Sequence, residues 1–213
     1  YYPATPSLEA GEAMDEARAR LANWLGVTSD WVSLGPSTTQ NTYVLSQAFG
    51  EWLTAGDIIV VTNQDHESNS GPWRRLANRG IEVREWSVDQ RTGRLEESGL
   101  KALLCDRVKL VAFPHCSNII GEINPAADWV EIIHADGALA CVDGVSFAPH
   151  GLPNIPSLGA DIYLFSTYKT FGPHQGVMVI DPALVHQLPN QGHEFNGDSA
   201  VKRLTPAGPD HAQ

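Results

Sequence analysis

The sequence contains few cysteines, few positive charges and no long apolar run. Of its 213 residues, 3 are cysteine, and 14 Lys and Arg stand against 25 Asp and Glu, for a formal net charge of -11. Binding to a nucleic-acid backbone needs clustered Lys and Arg, so we expect no nucleic-acid partner. A transmembrane helix needs roughly 18 consecutive apolar residues, and no run approaches that length. We therefore expect no membrane partner either.

The cysteines also bear on the redox environment and the metal chemistry of the chain. Cys105, Cys116 and Cys141 form no Cys-x-x-Cys pair and no dense disulfide framework. We therefore predict a reducing, cytoplasmic environment and no metal site. Cys141 lies in an apolar run at 138–142 and is predicted to be a buried small hydrophobe. A structural role is also the preferred interpretation of Cys116.

Both ends of the sequence look like interior segments of a longer protein. The chain begins with Tyr1-Tyr2-Pro3 and closes with a polar stretch rich in Gly and Pro. A chain of this length can bury a substantial core. We therefore expect one large domain at residues 1–190 with a truncated N-terminal part. Residues 191–213 are predicted to form a loop or a connection towards a C-terminal domain that is absent.

Apolar segments alternate with helical segments along the chain. Residues 9–25 carry apolar side chains at helical spacing, and further helices are predicted at 40–53, 72–79 and 95–104. Strands are predicted at 31–34, 57–62, 81–86, 108–113, 138–142, 161–165 and 176–180. Strands that are apolar throughout and alternate with helices predict an α/β fold, with a mostly parallel seven-stranded sheet sandwiched by helices.

Polar residues follow five of these strands. In such sheets, ligands bind beyond the carboxyl ends of the strands. The five polar clusters are Ser37-Thr38-Thr39, Asp65-His66-Glu67, Ser117-Asn118, Asp143 and Ser166-Thr167-Tyr168-Lys169. We therefore predict that they line one shared pocket.

Two charged residues in these clusters have side chains suited to cofactor chemistry. Lys169 follows an apolar strand, where desolvation lowers an amine pKa and makes the amine nucleophilic. Position alone favours an ordinary surface or phosphate-binding lysine. Asp143 ends an apolar strand, where a carboxylate is costly to bury without a cationic partner. A protonated pyridine nitrogen is such a partner, and a helix-capping or salt-bridged Asp is the alternative.

Three other positions offer stacking, hydrogen-bonding and anion-binding groups. The ring of His66 could stack on a flat cofactor, although a lone His is more often a hydrogen-bonded structural residue. Asn118 could donate to a phenolic oxygen, although a turn residue needs no function. The hydroxyls of 37–39 at a helix N-terminus form an anion site, and the same segment could be a simple N-cap.

Taken in order, these segments resemble the class V aminotransferase family of fold-type I pyridoxal-phosphate (PLP) enzymes. The residues that carry the resemblance are 38–39, 65–69, 117–125, 142–144 and 166–169. Segments 168–174 and 203–211 look closest to the cysteine desulfurase-like subfamily. The resemblance implies the PLP-dependent transferase fold type I large domain and pyridoxal 5'-phosphate as cofactor.

The resemblance also implies a role for individual residues. Lys169 is implied to form the internal aldimine and to shuttle protons, and His66 is implied to stack on the cofactor face. These two are the implied catalytic residues. Asp143 is implied to pair with the pyridine nitrogen, and Asn118 to contact the 3-hydroxyl oxygen.

The remaining implied cofactor contacts include two departures from the family pattern. Thr38, Thr39 and Ser166 are implied to hold the phosphate. Tyr168 stands where desulfurases usually have His, and its hydroxyl could still reach the phosphate. Ser146 stands three residues after Asp143, where the family commonly has Gln beside the 3-hydroxyl.

The resemblance implies one cofactor but leaves several reaction types open. The catalytic Cys and the substrate-carboxylate Arg of desulfurases belong to a C-terminal part that these 213 residues do not include. The resemblance implies a homodimeric PLP-dependent transferase or lyase acting on an amino acid, with its active site at the subunit interface. Cysteine desulfurase-like C–S lysis or sulfur transfer, transamination and epimerisation all stay open.

Two other functions are compatible with the α/β pattern. A non-catalytic or incomplete protein could keep the PLP-enzyme fold, since a fold does not fix a function. An NAD(P)-dependent oxidoreductase is less favoured, because no G-x-G-x-x-G follows the first strand. In addition, Tyr168 and Lys169 are adjacent rather than a helical turn apart.

Overall fold

The computed structural model describes residues 4–206, which contain one seven-stranded sheet. The strands are β1 (Val32–Gly35), β2 (Ile58–Thr62), β3 (Glu82–Trp86), β4 (Val108–Pro114), β5 (Leu139–Asp143), β6 (Ile162–Ser166) and β7 (Gly176–Ile180). Their spatial order is β1-β7-β6-β5-β4-β2-β3. The pairs from β6 to β3 are parallel, and β7 is antiparallel to both β6 and β1. The predicted α/β fold with a mostly parallel seven-stranded sheet is confirmed.

Seven α-helices occur within the described residues. They are α1 (Thr5–Leu25), α2 (Thr38–Trp52), α3 (Glu67–Arg74), α4 (Glu97–Leu103), α5 (Ala126–Ala135), α6 (Ile155–Leu158) and α7 (Pro182–Gln187). The helix predicted at 72–79 was placed too late: α3 begins at Glu67, because His66 caps it, and a 3-10 turn covers 75–79. No helix in this part of the chain is both long and apolar enough to cross a bilayer.

Alternating residues of the central strands face two separate hydrophobic cores. In β2, Ile58 and Val60 belong to one core, and Ile59 and Val61 belong to the other. Successive side chains of a strand point to opposite faces, so both faces of the sheet are covered. This explains why the central strands are apolar at nearly every position.

The prediction that every strand is apolar throughout is wrong for β3. Among the described residues, this strand pairs only with β2. Its Glu82 and Glu85 are exposed, Arg84 is partly exposed, and of its five residues only Trp86 is buried. Charged side chains on an edge strand discourage pairing with another sheet. The charges of β3 are therefore a consequence of its place at the edge.

Residues 191–206 fold back against the domain. Ser33 Oγ donates to the carbonyl oxygen of Val201 at 2.9 Å, and Arg203 Nε donates to that of Leu188 at 3.0 Å. Leu204 is buried against the core. Apart from one 3-10 turn, the described part of this segment is irregular. The rest of the predicted connection, 207–213, lies outside the described residues.

The direction of β7 brings the polar clusters to one edge of the sheet. Because β1 and β6 are both antiparallel to β7, they run parallel to each other. The carboxyl ends of β1, β2, β4, β5 and β6 therefore lie at the same edge, together with the amino end of β7.

Candidate cofactor-binding site

A cavity of about 270 Å³ opens at this edge of the sheet. The nine residues predicted as site residues all line it: Thr38, Thr39, His66, Asn118, Asp143, Ser146, Ser166, Tyr168 and Lys169. Five strand-end clusters that are far apart in sequence therefore meet in one place. Their individual roles stay predictions at this point.

One end of the cavity is built from hydroxyl groups at the start of α2. Ser37 is the N-cap, and its Oγ accepts from the backbone N–H of Gln40 at 3.1 Å. Thr38 Oγ1 and Ser166 Oγ lie 2.7 Å apart, and both residues are buried. A Cβ at Gly176 would overlap the backbone of Ser37 and Thr38, so only glycine permits this approach of β7. Free N–H groups and hydroxyls at a helix start suit an anion such as phosphate.

Asp143 places a carboxyl group in the wall of the cavity. It is the last residue of β5 and is 5% exposed, and its Oδ1 accepts from the backbone N–H of Val145 at 2.8 Å. Burial raises the pKa of Asp143 to about 6, against the lowering effects of Val145, Lys169 and His66. Within residues 4–206, Asp143 has no ion-pair partner. The side chain is therefore suited to receive a cationic ring nitrogen.

Asp65 is a second carboxyl group in the same cavity. Its Oδ2 accepts from Asn69 Nδ2 at 2.5 Å, and its Oδ1 accepts from the backbone N–H of His66 at 2.9 Å. Burial and the neighbouring Asp143 raise the pKa of Asp65 well above its ordinary value. The Asp65 side chain thus holds the backbone at His66 and the first turn of α3 in place through these two hydrogen bonds.

His66 presents its ring at the start of α3. Its Nδ1 accepts from the backbone N–H of Ser68 at 3.1 Å and lies 2.8 Å from Ser68 Oγ. Because the Nδ1 lone pair accepts an N–H, the hydrogen of the neutral ring sits on Nε2. The helix cap therefore fixes both the place and the tautomer of the ring.

Lys169 lies in a 3-10 turn, Thr167–Thr170, directly after β6. It is partly buried, and no hydrogen bond or ion pair within the described part of the chain engages its ammonium group. The rings of Tyr168 and His174 stack in parallel with centroids 4.8 Å apart. Thr167 Oγ1 donates to the carbonyl oxygen of Gln175 at 3.2 Å. The hydrogen bond of Thr167 thus fixes the start of the turn, while the Lys169 amine can still react with a ligand.

Asn118 lies at the tip of a loop and is exposed. Ser117 anchors this loop, because its N–H donates to the carbonyl oxygen of Glu122 at 2.8 Å and its Oγ accepts from Ile119 at 3.3 Å. The Asn118 side chain itself makes no hydrogen bond to another residue of 4–206. The side-chain amide is therefore free to contact a ligand.

Several lining residues were missed as site residues from the sequence: Asp65, Ser68, Cys116, Val145 and His174. Asp65 stood in a predicted strand-end cluster, so its position gave a usable signal. Cys116 is buried, as its structural interpretation expected, and its pKa is raised by burial and by Glu122. Cys141 is fully buried, as predicted.

The family model described as aminotransferase class V matches residues 4–199 of the chain. The chain belongs to this family. All nine predicted site residues lie within the matched range.

The chain is similar to curated proteins of two descriptions, an aminotransferase-like protein and a cysteine desulfurase. The aminotransferase-like protein FGM3 of Gibberella zeae is 37% identical over 198 residues, which are 92% of this chain and 49% of that protein. A cysteine desulfurase of Yersinia pestis is 34% identical over 187 residues, which are 86% of this chain and 46% of that protein. The chain therefore spans about half the length of the curated relatives it matches.

A solved structure shares the fold over almost the whole of this chain. It is a C-DES variant with glycine covalently linked to its PLP cofactor. The TM-score is 0.82 at 18% identity, and the match covers 98% of this chain and 59% of that one. At this identity, the similarity concerns the fold.

Proposed function

We propose that this chain binds PLP and forms part of an enzyme that acts on an amino acid, either as a cysteine desulfurase-like lyase or transferase or as an aminotransferase. The observation that carries the proposal is the meeting of five strand-end clusters in one cavity. Membership of the class V aminotransferase family and the names of the relatives support it.

The donor set of the cavity fits the chemical groups of PLP. The hydroxyl pair of Thr38 and Ser166, with Thr39 and the start of α2, suits the phosphate. The Asp143 carboxyl suits the ring nitrogen, because a buried carboxylate without an ion pair gains from a cation. The narrow approach at Gly176 shapes the phosphate end. The site is therefore matched to an anion at one end and a cation at the other.

The other side chains are proposed to orient the ring and to handle the substrate proton. His66 covers one part of the ring space, and Val145 adds an apolar wall that excludes water. Asn118, Ser146 and Tyr168 supply polar contacts at the cavity rim, with Asn118 at the phenolic oxygen.

When bound, PLP supplies an electron-accepting ring that stabilises negative charge on the substrate carbon. Lys169 is the proposed point of attachment through its Nζ. A partly buried amine that makes no hydrogen bond or ion pair within residues 4–206 can take up and return the proton of that carbon. The proposed catalytic residues are therefore Lys169 and His66.

The assembly and setting follow from the family resemblance. We propose a homodimer in the cytoplasm with the active site at the subunit interface. Residues 1–190 are proposed to form the large domain, and 191–213 a loop or connection to a further domain. In a desulfurase, an arginine binds the substrate carboxylate and a catalytic cysteine accepts the sulfur. Both residues are proposed to come from that further part.

Adding PLP to the purified chain is expected to produce a visible absorption band, and borohydride is expected to fix the cofactor on the peptide that contains Lys169. The measurement is absorption spectroscopy followed by peptide mass analysis. A chain that stays colourless with added PLP contradicts the proposal. If the band appears, an amino-acid panel with sulfide, keto-acid and chirality readouts identifies the reaction. Binding without turnover of any of them supports the non-catalytic alternative.

Ser166→Ala is expected to weaken PLP binding about tenfold, since a hydrogen bond to a charged group is lost. The change also leaves the buried Thr38 hydroxyl without its partner, so the free energy of unfolding should fall by about 1 kcal/mol. A PLP titration and urea unfolding measure the two effects. Ser7→Ala, on the exposed face of α1, is the control and should change neither. Unaltered PLP affinity in Ser166→Ala rules out the proposed phosphate contact.

A further inference from the structure

Two buried amide side chains outside the cavity lining, those of Gln64 and Asn124, are hydrogen-bonded to each other. Gln64 is 6% exposed and Asn124 is 4% exposed. Asn124 Nδ2 donates to Gln64 Oε1 at 2.8 Å and to the carbonyl oxygen of Pro114 at 2.7 Å. Gln64 Nε2 donates to the carbonyl oxygen of Gly93 at 2.8 Å. The pair therefore joins the segments that follow β2 and β4 to the loop between β3 and α4.

Neither amide lines the cavity, but each lies close in sequence to residues that do. Gln64 directly precedes Asp65 and His66. Asn124 closes the loop 115–124, which carries Asn118 at its tip, and its N–H donates to the carbonyl oxygen of His115 at 2.9 Å. Because Asn118 has no hydrogen bond of its own within the described chain, its position depends on how this loop is anchored.

An exposed ion pair joins loop 115–124 to the loop between β3 and α4, which Gln64 also contacts through Gly93. Arg94 Nε lies 3.0 Å from Glu122 Oε1, with side chains 59% and 29% exposed. An exposed ion pair is screened by water and contributes little. The buried amides have no water to replace a lost partner, so breaking their hydrogen bonds costs more. The effect of breaking the buried Gln64–Asn124 hydrogen bonds can therefore be compared with the effect of breaking the exposed Arg94–Glu122 ion pair.

We propose that the Gln64–Asn124 amide pair is the positioning element that holds Asn118 and His66 in the cavity. The pair acts through the two loop segments and touches no ligand. Its effect on the cofactor rests on the proposed function, in which Asn118 contacts the phenolic oxygen of PLP. Its effect on the loops is independent of any cofactor.

Hydrogen exchange of the full chain without PLP tests the loop effect. Gln64→Met keeps the side-chain length and removes both hydrogen bonds. Amide exchange in residues 115–124 is expected to become about tenfold faster, because a local opening becomes easier. Arg94→Gln, which breaks only the exposed ion pair, should stay near the wild-type rates. Unaltered exchange in 115–124, or an equal acceleration throughout the sheet, overturns the proposal.

The spectrum of the PLP-loaded chain tests the effect on the cofactor. Asn118→Ala is expected to shift the pH at which the visible band changes, because a hydrogen bond to the phenolic oxygen is lost. Gln64→Met should shift this pH in the same direction, and Arg94→Gln should leave it in place. The titratable groups lining the cavity are the same in all these variants: Asp65, His66, Cys116, Asp143, Tyr168, Lys169 and His174.

The two measurements separate the possible failures. If Asn118→Ala moves the pH and Gln64→Met does not, the positioning proposal is wrong, since a merely structural pair lowers stability without changing the spectrum. If the wild-type chain shows no band with PLP, the proposed function fails. The hydrogen-exchange comparison then still decides whether the amide pair holds the loop.

Discussion

Lys169→Ala should abolish covalent attachment of PLP while leaving the fold intact. The side chain makes no hydrogen bond or ion pair with the rest of residues 4–206, so its removal breaks neither kind of interaction. Without Nζ, no amine remains at the end of β6 to bond the cofactor. After borohydride treatment, the peptide that spans residue 169 should carry no added mass. Circular dichroism and urea unfolding should match the wild type.

Lys202→Ala is the matched control, because Lys202 is exposed and does not line the cavity. This variant should keep full attachment. Cofactor mass found on the Lys101, Lys109 or Lys202 peptide of the Lys169→Ala chain would show that another lysine is the attachment residue.

Asp143→Asn is expected to weaken PLP binding about a hundredfold, because a charged hydrogen bond to the ring nitrogen becomes a neutral one. The same change should stabilise the cofactor-free chain at neutral pH. The folded-state pKa of Asp143, about 6, lies above the ordinary aspartate value of 3.8. A raised carboxyl pKa contributes stability that is complete below the unfolded pKa and is lost as the pH rises through the folded pKa.

The stability difference between Asp143→Asn and the wild type should therefore grow by about 2 kcal/mol from roughly pH 4 to pH 7. Urea unfolding at both pH values, without PLP, measures this difference. Asp106→Asn, at an exposed position, should follow the wild type at both. A difference that does not change with pH would show that burial does not raise the Asp143 pKa. A higher affinity of the Asp143→Asn chain for PLP would contradict the pairing of Asp143 with the ring nitrogen.

The sequence predicted the strand ends well because each depends on a local pattern. An apolar run ends where polar residues begin, and Asp143 and Lys169 stand at such boundaries. In a parallel sheet these boundaries share one edge, so the pocket followed from the fold class. The residue roles still rest on the family resemblance and await the measurements above.

Contacts between distant segments could not be predicted in the same way. The Gln64–Asn124 pair spans 60 residues, and neither amide stands in a motif that signals its partner. The antiparallel direction of β7 and the edge position of β3 depend on which strands become neighbours. His174 is near Lys169 in sequence, but its stacking on Tyr168 depends on the turn between them.

The place of β1 in the sheet has a consequence for synthesis on the ribosome. Within residues 4–206, β1 pairs only with β7, so residues 32–35 gain a strand partner only after residues 176–180 have been synthesised. The hydroxyl contact between Thr38 and Ser166 spans 128 residues and needs the same closure. Such long-range pairings form late, because the intervening chain must first be ordered. In a growing chain, β1 and Thr38 can thus reach their partners in the sheet only after β7 has been synthesised.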